Sequence, residues 1–182
     1  MDILHDYRRY TRARHGHRTT NLRHQRRSRP RIAFARNEPG EYEIEWLPAI
    51  PLTESFGVKG PELLPCLPLC HHIAQKLHGM TLPPRPGKRN ERFRDLIDLL
   101  LMEALVVDYQ DLHKTCTHVF KTRNTHPWPP ALNLPEHWID PINRLIRELE
   151  LPITDADAGL ARVRQFVDRI LSNTEMKDGN LR

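Results

Sequence analysis

From residue 69 onward, apolar residues recur with a helical period, and those periods mark out the elements. Wound at about 100° per residue, Leu69, Ile73, Leu77 and Met80 fall on one narrow stripe of a helix over 69–80. From Phe93 on, Leu96, Ile97, Leu100, Leu101, Ala104 and Val107 form one face, and Met102, Leu105 and Val106 continue the opposite side. A helix that is apolar on both sides is covered nearly all round. Three more stripes follow. Leu112, Cys116, Val119 and Phe120 lie within 108–122. Trp138, Ile142, Leu145, Ile146 and Leu149 lie within 136–149. Leu160, Val163, Val167, Ile170 and Leu171 lie within 154–171, a segment that opens on Thr154-Asp155-Ala156-Asp157, the signature of a capping box. The proline-rich segment 126–135 reads as a rigid link between the first and second of these.

Upstream the period changes to two. Arg31 to Ala35 and Glu41 to Trp46 alternate as half-buried strands do, and Asn37-Glu38-Pro39-Gly40 supplies turn chemistry between them. This predicts an antiparallel hairpin with Tyr42, Ile44 and Trp46 toward the core and Glu41, Glu43 and Glu45 toward solvent. Residues 48–65, with four prolines and two glycines, read as a connection. The expected class is α+β, a short hairpin followed by an all-α bundle of about five helices.

Three polar residues fall where apolar ones would be easier to explain. Lys76 lies in or at the edge of the first stripe, and Asp95 and Asp98 are helical neighbours at i, i+3 on the side that Met102, Leu105 and Val106 continue. The lysine stem can pack while its ammonium reaches water. The aspartates can serve the helix dipole in a first turn behind an Asn90 cap. Taken together, one helix offers a half-buried cation and the next offers two acids, joined by a loop with Arg85, Lys88, Arg89 and Arg92. Lys76 can then neutralise phosphate oxygens or pair with Asp95, and the acids can hold a metal or position a hydroxyl. In this arrangement Lys76 is expected to approach Asp95. Asp98→Asn is expected to be the milder change, because Arg94 and solvent can compensate.

Charge refines the organisation. The 182 residues carry a net +5, but residues 1–36 hold 11 Arg and no Lys against Asp2 and Asp6, a net of +9, which leaves −4 for the rest. The front segment has few aliphatic residues after Leu4 and no sustained period, so it reads as a basic, disordered arm. Such an arm can bind RNA or DNA phosphates, with Tyr7 and Tyr10 free to stack; it also reads as a plain tail, or as translation from a displaced start. The expected division is an arm over 1–29, a hairpin and connection over 30–65, a helical domain over 66–172 and a tail over 173–182. The longest apolar run, Leu99 to Val107, contains Glu103 and is too short to span a bilayer, so no membrane association is expected. No apolar signal segment opens the chain, and an odd count of three cysteines suits a reducing cytoplasm. Cys66, Cys70, His71 and His72 are all ligand types, but C-x3-C has only Cys116 and His118 as a distant partner pair. Buried thiols, and no metal, are the expected reading.

The segments IAQKLH (Ile73 to His78) and RFRDLIDLLL (Arg92 to Leu101) resemble the paired signature of the AbiEii/AbiGii family of nucleotidyltransferase-like toxins. The likeness continues through VFKTRNTHPWP (Val119 to Pro129), LPEHWIDPINRLIRELEL (Leu134 to Leu151) and ARVRQFVDRIL (Ala161 to Leu171), covering roughly residues 30 to 172. The resemblance implies that the hairpin is a remnant of a nucleotidyltransferase sheet. It implies transfer of a nucleotide from an NTP, with Mg2+, onto an RNA acceptor such as a tRNA end, and an antitoxin as partner. Lys76 matches the family's functional lysine, Asp95 its functional aspartate, and Asp98 a companion. Arg123 and His126 match an R..H pair. With Arg92 and Arg94 they are candidates for nucleic-acid phosphate, or the pair caps the preceding helix. The family's Gly-Ser turn and paired-acid motif has no counterpart before residue 30, where Gly16 is the only glycine and Asp2 and Asp6 lie in no such turn. The chain therefore reads as truncated. The alternative is a catalytically inactive remnant that binds RNA or a protein.

Overall fold

The structure is a computed structural model, and it describes residues 44–49, 57 and 59–175. Two short strands come first, β1 (Glu45–Pro48) and β2 (Leu63–Cys66), and five helices follow: α1 (Leu69–Met80), α2 (Phe93–Met102), α3 (Tyr109–Arg123), α4 (Glu136–Glu148) and α5 (Ala156–Glu175). One 3-10 turn, Glu103–Leu105, closes α2. The class is the α+β arrangement expected, with most of the mass in helices.

β1 and β2 pair antiparallel, with Trp46 opposite Pro65 and Leu47 opposite Leu64, and the ladder extends through Ala49 N–H to Glu62 O at 2.9 Å. Here the structure corrects the sequence reading. The strand at Arg31–Ala35, the turn at Asn37–Gly40 and Tyr42 lie outside the described residues. The described partner of Trp46 comes instead from the segment read as connection. Among the described residues the sheet has two strands and both are edges, where a missing N–H costs little, so Pro65 fits. Trp46 and Ile44, expected in the core, are each 59% exposed. A two-stranded ribbon has no second layer of its own to bury them.

The helices start and stop for local reasons. Asp108 accepts the N–H groups of Gln110 and Asp111, both at 2.9 Å, and starts α3. Asn124, in the left-handed conformation at φ 46°, ends it. At α5 the cap falls to Asp155, which accepts from Ala158 N–H at 2.8 Å, rather than to Thr154. Helix α2 stops at Met102, short of the expected Val107. Glu103 turns inward there, where Arg162 Nε donates to it at 2.9 Å and Arg169 also reaches it, both from α5. Ala104, Leu105 and Val107 are left exposed.

One core gathers the five stripes. Ile73 and Leu77 of α1, Leu96, Ile97 and Leu99 of α2, Phe120 of α3, Trp138 and Ile142 of α4, and Phe166 and Ile170 of α5 are essentially sealed from solvent. Helix α1 packs on α2 and α3, and α2 and α3 pack in turn on α5. This sandwiching fixes the relation of Lys76 to the two aspartates.

Candidate functional site

Lys76 follows buried Ile73 by three positions and precedes buried Leu77, so its stem runs along the α1–α2 seam while its side chain stays 18% exposed. From α2, Asp95 and Asp98 point back at it with side-chain exposures of 10% and 5%. Lys76 Nζ makes its closer contact with Asp98 Oδ2 and lies 3.5 Å from Asp95 Oδ1. Arg92 Nε donates to Asp95 Oδ2 at 2.5 Å, its own side chain 54% exposed. Among the described residues the cluster is thus a near-neutral quartet, two acids between two bases, with one cation half-buried and one facing water. The structure brings together Lys76, Asp95 and Asp98 as expected but alters the pairing. Asp98 takes the shorter lysine contact, Asp95 is shared with Arg92, and Arg94 lies 5.5 Å from the Phe93 ring centre instead of at Asp98.

Two small residues make room for this and hold it. A Cβ on Gly79 would fall 2.5 Å from Arg92 Nε, so the bare α-carbon is what lets the guanidinium cross α1 to reach Asp95. Asn90 does not cap α2 as expected. Its side-chain amide donates to the carbonyls of Gly79 and Met80 at 3.1 Å and of Leu82 at 3.2 Å, closing the end of α1. Its Oδ1 accepts Arg92 N–H at 3.0 Å, and its carbonyl accepts Trp138 Nε1–H at 2.7 Å and His137 Nε2–H at 3.0 Å. One asparagine therefore ties α1, the approach to α2, and α4. His72 stands one turn before Lys76 and is held below the usual histidine range, first by burial and then by the Lys76 charge, with Asp98 and Glu45 opposing.

Arg123 and His126 fall in a second cluster. Arginine has only donors, so Arg123 Nη1 at 3.3 Å from His78 Nδ1 makes that nitrogen an acceptor and places the ring hydrogen on Nε2. His78 Nε2–H then donates to Thr125 Oγ1 at 2.7 Å, Thr125 donates to His126 Nδ1 at 3.0 Å, and His126 Nε2–H donates to Thr81 Oγ1 at 2.8 Å. Thr81 ends the relay on the Leu77 carbonyl at 2.6 Å. Burial lowers the pKa of His126, which favours its neutral imidazole in this chain of donors. The pair does not cap α3, where Asn124 takes that place. It braces the end of α1 instead, with the His78 and His126 rings 4.7 Å apart and Phe120 edge-on to both.

The cysteines stay apart from this chemistry. Burial pushes the Cys70 and Cys116 thiols up, away from thiolate. Among the described residues no group of three or more His, Cys, Asp or Glu could hold a metal ion.

Sequence reasoning singled out Lys76, Asp95 and Asp98 because they broke an apolar pattern. It missed His78, Gly79 and the role of Asn90. His78 carried a signal, two positions past Lys76 in the same motif; Asn90 carried none, because all but one of its hydrogen bonds go to residues at least eight positions away in sequence.

Comparison with known proteins adds one finding. The family model described as "Nucleotidyl transferase AbiEii toxin, Type IV TA system" matches residues 4–176, starting well upstream of residue 30, where the resemblance by motif begins. A search of curated proteins gives no match.

Proposed function

This chain belongs to the AbiEii family of nucleotidyl transferase toxins, and on that premise we propose that it transfers a nucleotide from a nucleoside triphosphate to the 3′ end of an RNA such as a tRNA, in the cytoplasm. As a toxin of a type IV toxin–antitoxin family it has an antitoxin as its counterpart. No described helix is long and apolar enough to cross a membrane.

The observation that carries the reading is the Lys76–Asp98 and Asp95–Arg92 quartet, built by the two motifs of the family resemblance and held between α1 and α2. In transfer, the acceptor hydroxyl oxygen forms a bond to the α-phosphorus, the bond to the bridging oxygen breaks, and pyrophosphate leaves. Asp95 orients that hydroxyl and takes its proton. Lys76 and Arg92 are placed to meet the charge on the phosphate oxygens, and Asp98 holds Lys76 in line. Arg94, exposed beside the quartet, is placed for the acceptor's phosphates; Arg123 and His126 act one step removed, by bracing α1. The family also implies Mg2+. Asp95 and Asp98 already face cations, and among the described residues no third ligand stands with them, so the two do not fit a divalent ion as they stand. Incubation of the full chain with labelled triphosphates, tRNA and Mg2+ tests the assignment. Label should move to RNA and drop by at least tenfold in Lys76→Ala, and equal transfer by that variant would remove the assignment.

The same charge balance favours a second reading, an inactive module that keeps the helical half to bind RNA or a protein partner. There the arginine-rich arm supplies the affinity, each single-strand phosphate contact adding about 0.7 to the slope of log affinity against log salt. Deleting residues 1–29 should flatten that slope, and an unchanged slope would leave the arm without this role.

A further inference from the structure

A cavity of about 460 Å3 opens between the loop joining α1 to α2 and the segment that leads into α4. Its volume falls within the ~300–1,000 Å3 of small-molecule pockets. Leu82, Pro83 and Pro84 wall one side, and Pro127 and Pro135 another, so much of the lining is flat and apolar. Polar groups are few and placed among these walls. His126 is neutral within its relay, Asn133 offers an amide, and His137, whose Nε2–H is spent on Asn90 O, keeps Nδ1 as an acceptor.

The rim is cationic. Arg89 lines the cavity, and the loop leading to it folds back on itself between Arg85 and Lys88, with Gly87 at φ 71° and Lys88 N–H donating to Arg85 O at 2.9 Å. Ring-lined walls and the Arg89 cation at the rim, with Arg85 and Lys88 exposed on the same loop, match a planar base joined to a phosphate, the pairing that single-stranded nucleic acid presents to its binding proteins. Position favours one occupant. Asn90 lines the cavity, and Arg92, two residues on and at most about 7 Å away along the chain, holds Asp95.

We propose that this cavity holds the terminal nucleotide of the RNA acceptor, its base between the prolines and imidazoles and its phosphate on Arg89, so that its 3′-hydroxyl is delivered toward Asp95. This deepens the transfer reading above and rests on it. Single-stranded RNA is preferred over a free triphosphate because Arg85 and Lys88, exposed on the same loop, add cations beyond the one that lines the cavity.

Binding separates the possibilities. The full chain is titrated with a fluorescent single-stranded RNA oligomer bearing a free 3′-hydroxyl and, separately, with a labelled nucleoside triphosphate. Ala131 is an exposed residue of the cavity wall, and Ala131→Trp fills the space. Arg89→Ala removes the rim cation without touching a described contact. Both should weaken RNA binding about tenfold and leave triphosphate binding within twofold, and Arg89→Ala should lower the salt slope by about 0.7. A melting temperature equal to that of the parent shows that each variant folds. RNA affinity unchanged in both variants overturns the proposal, as does a loss that falls on the triphosphate alone. Normal, cavity-dependent RNA binding with no label transfer would instead refute the transfer reading and leave the cavity assignment standing.

Discussion

The pairing of Lys76 with Asp98 sets up a double-mutant cycle whose size follows from burial. Separating a fully buried ion pair by removing one partner costs about 3 to 5 kcal/mol, and an exposed pair contributes about 0 to 1 kcal/mol. Asp98 is 5% exposed but Lys76 is 18% exposed, and Asp95 keeps Arg92 whatever happens to the lysine. Lys76→Met should therefore destabilise the fold by about 1 to 3 kcal/mol, between the exposed and the fully buried ranges. At about 3 °C per kcal/mol for a chain of this length, the melting temperature falls by ~3 to 9 °C. Asp98→Asn should cost a comparable amount, not less as the sequence alone suggests, because Arg94 is engaged at Phe93 and little solvent reaches the carboxylate. The double variant should lose less than the sum of the singles by about 1 to 2 kcal/mol. Urea titrations followed by circular dichroism measure all four corners. Additivity within about 0.5 kcal/mol would mean that the lysine and Asp98 do not hold each other, and the positioning role given to Asp98 would fall with it.

Further expectations follow from single contacts. Gly79→Ala suits a helical backbone and should stabilise by roughly 0.5 to 1 kcal/mol, yet its methyl group displaces Arg92 from Asp95; transfer activity should fall several-fold while the melting temperature holds or rises, and unchanged kcat would refute the role of Arg92. Burial lowers the pKa values of His126 and His72 in the fold, so the unfolded chain binds protons first as pH drops. Stability is then full above the unfolded value of about 6.5 and declines as pH falls from there toward the folded values; denaturation midpoints that stay flat from pH 7 to 5 would contradict this. Trp46→Glu, at a side chain 59% exposed, should change stability by less than about 0.5 kcal/mol; a loss above 2 kcal/mol would show that the β1 face is covered in solution.

What the sequence determined by itself is what local periodicity can carry. The stripe of Leu69, Ile73, Leu77 and Met80 specifies α1 to its last residue, because a 3.6-residue period reports which face is buried within a dozen positions. The same period exposes Lys76, Asp95 and Asp98 as residues that break it, so the site was legible as an anomaly before any packing was known. The tertiary structure decided which of them pair, since α1 and α2 approach at an angle that no pattern within either helix encodes. It also ended α2 at Met102, through contacts from Glu103 to Arg162 and Arg169 some sixty residues on, and made Leu63–Cys66 a strand through pairing with Glu45–Pro48. The relay from Arg123 through His78, Thr125 and His126 to Thr81 joins groups more than forty residues apart. Such contacts depend on where helices meet, and a hydrogen bond across that distance leaves no period in the chain for a sequence reading to find.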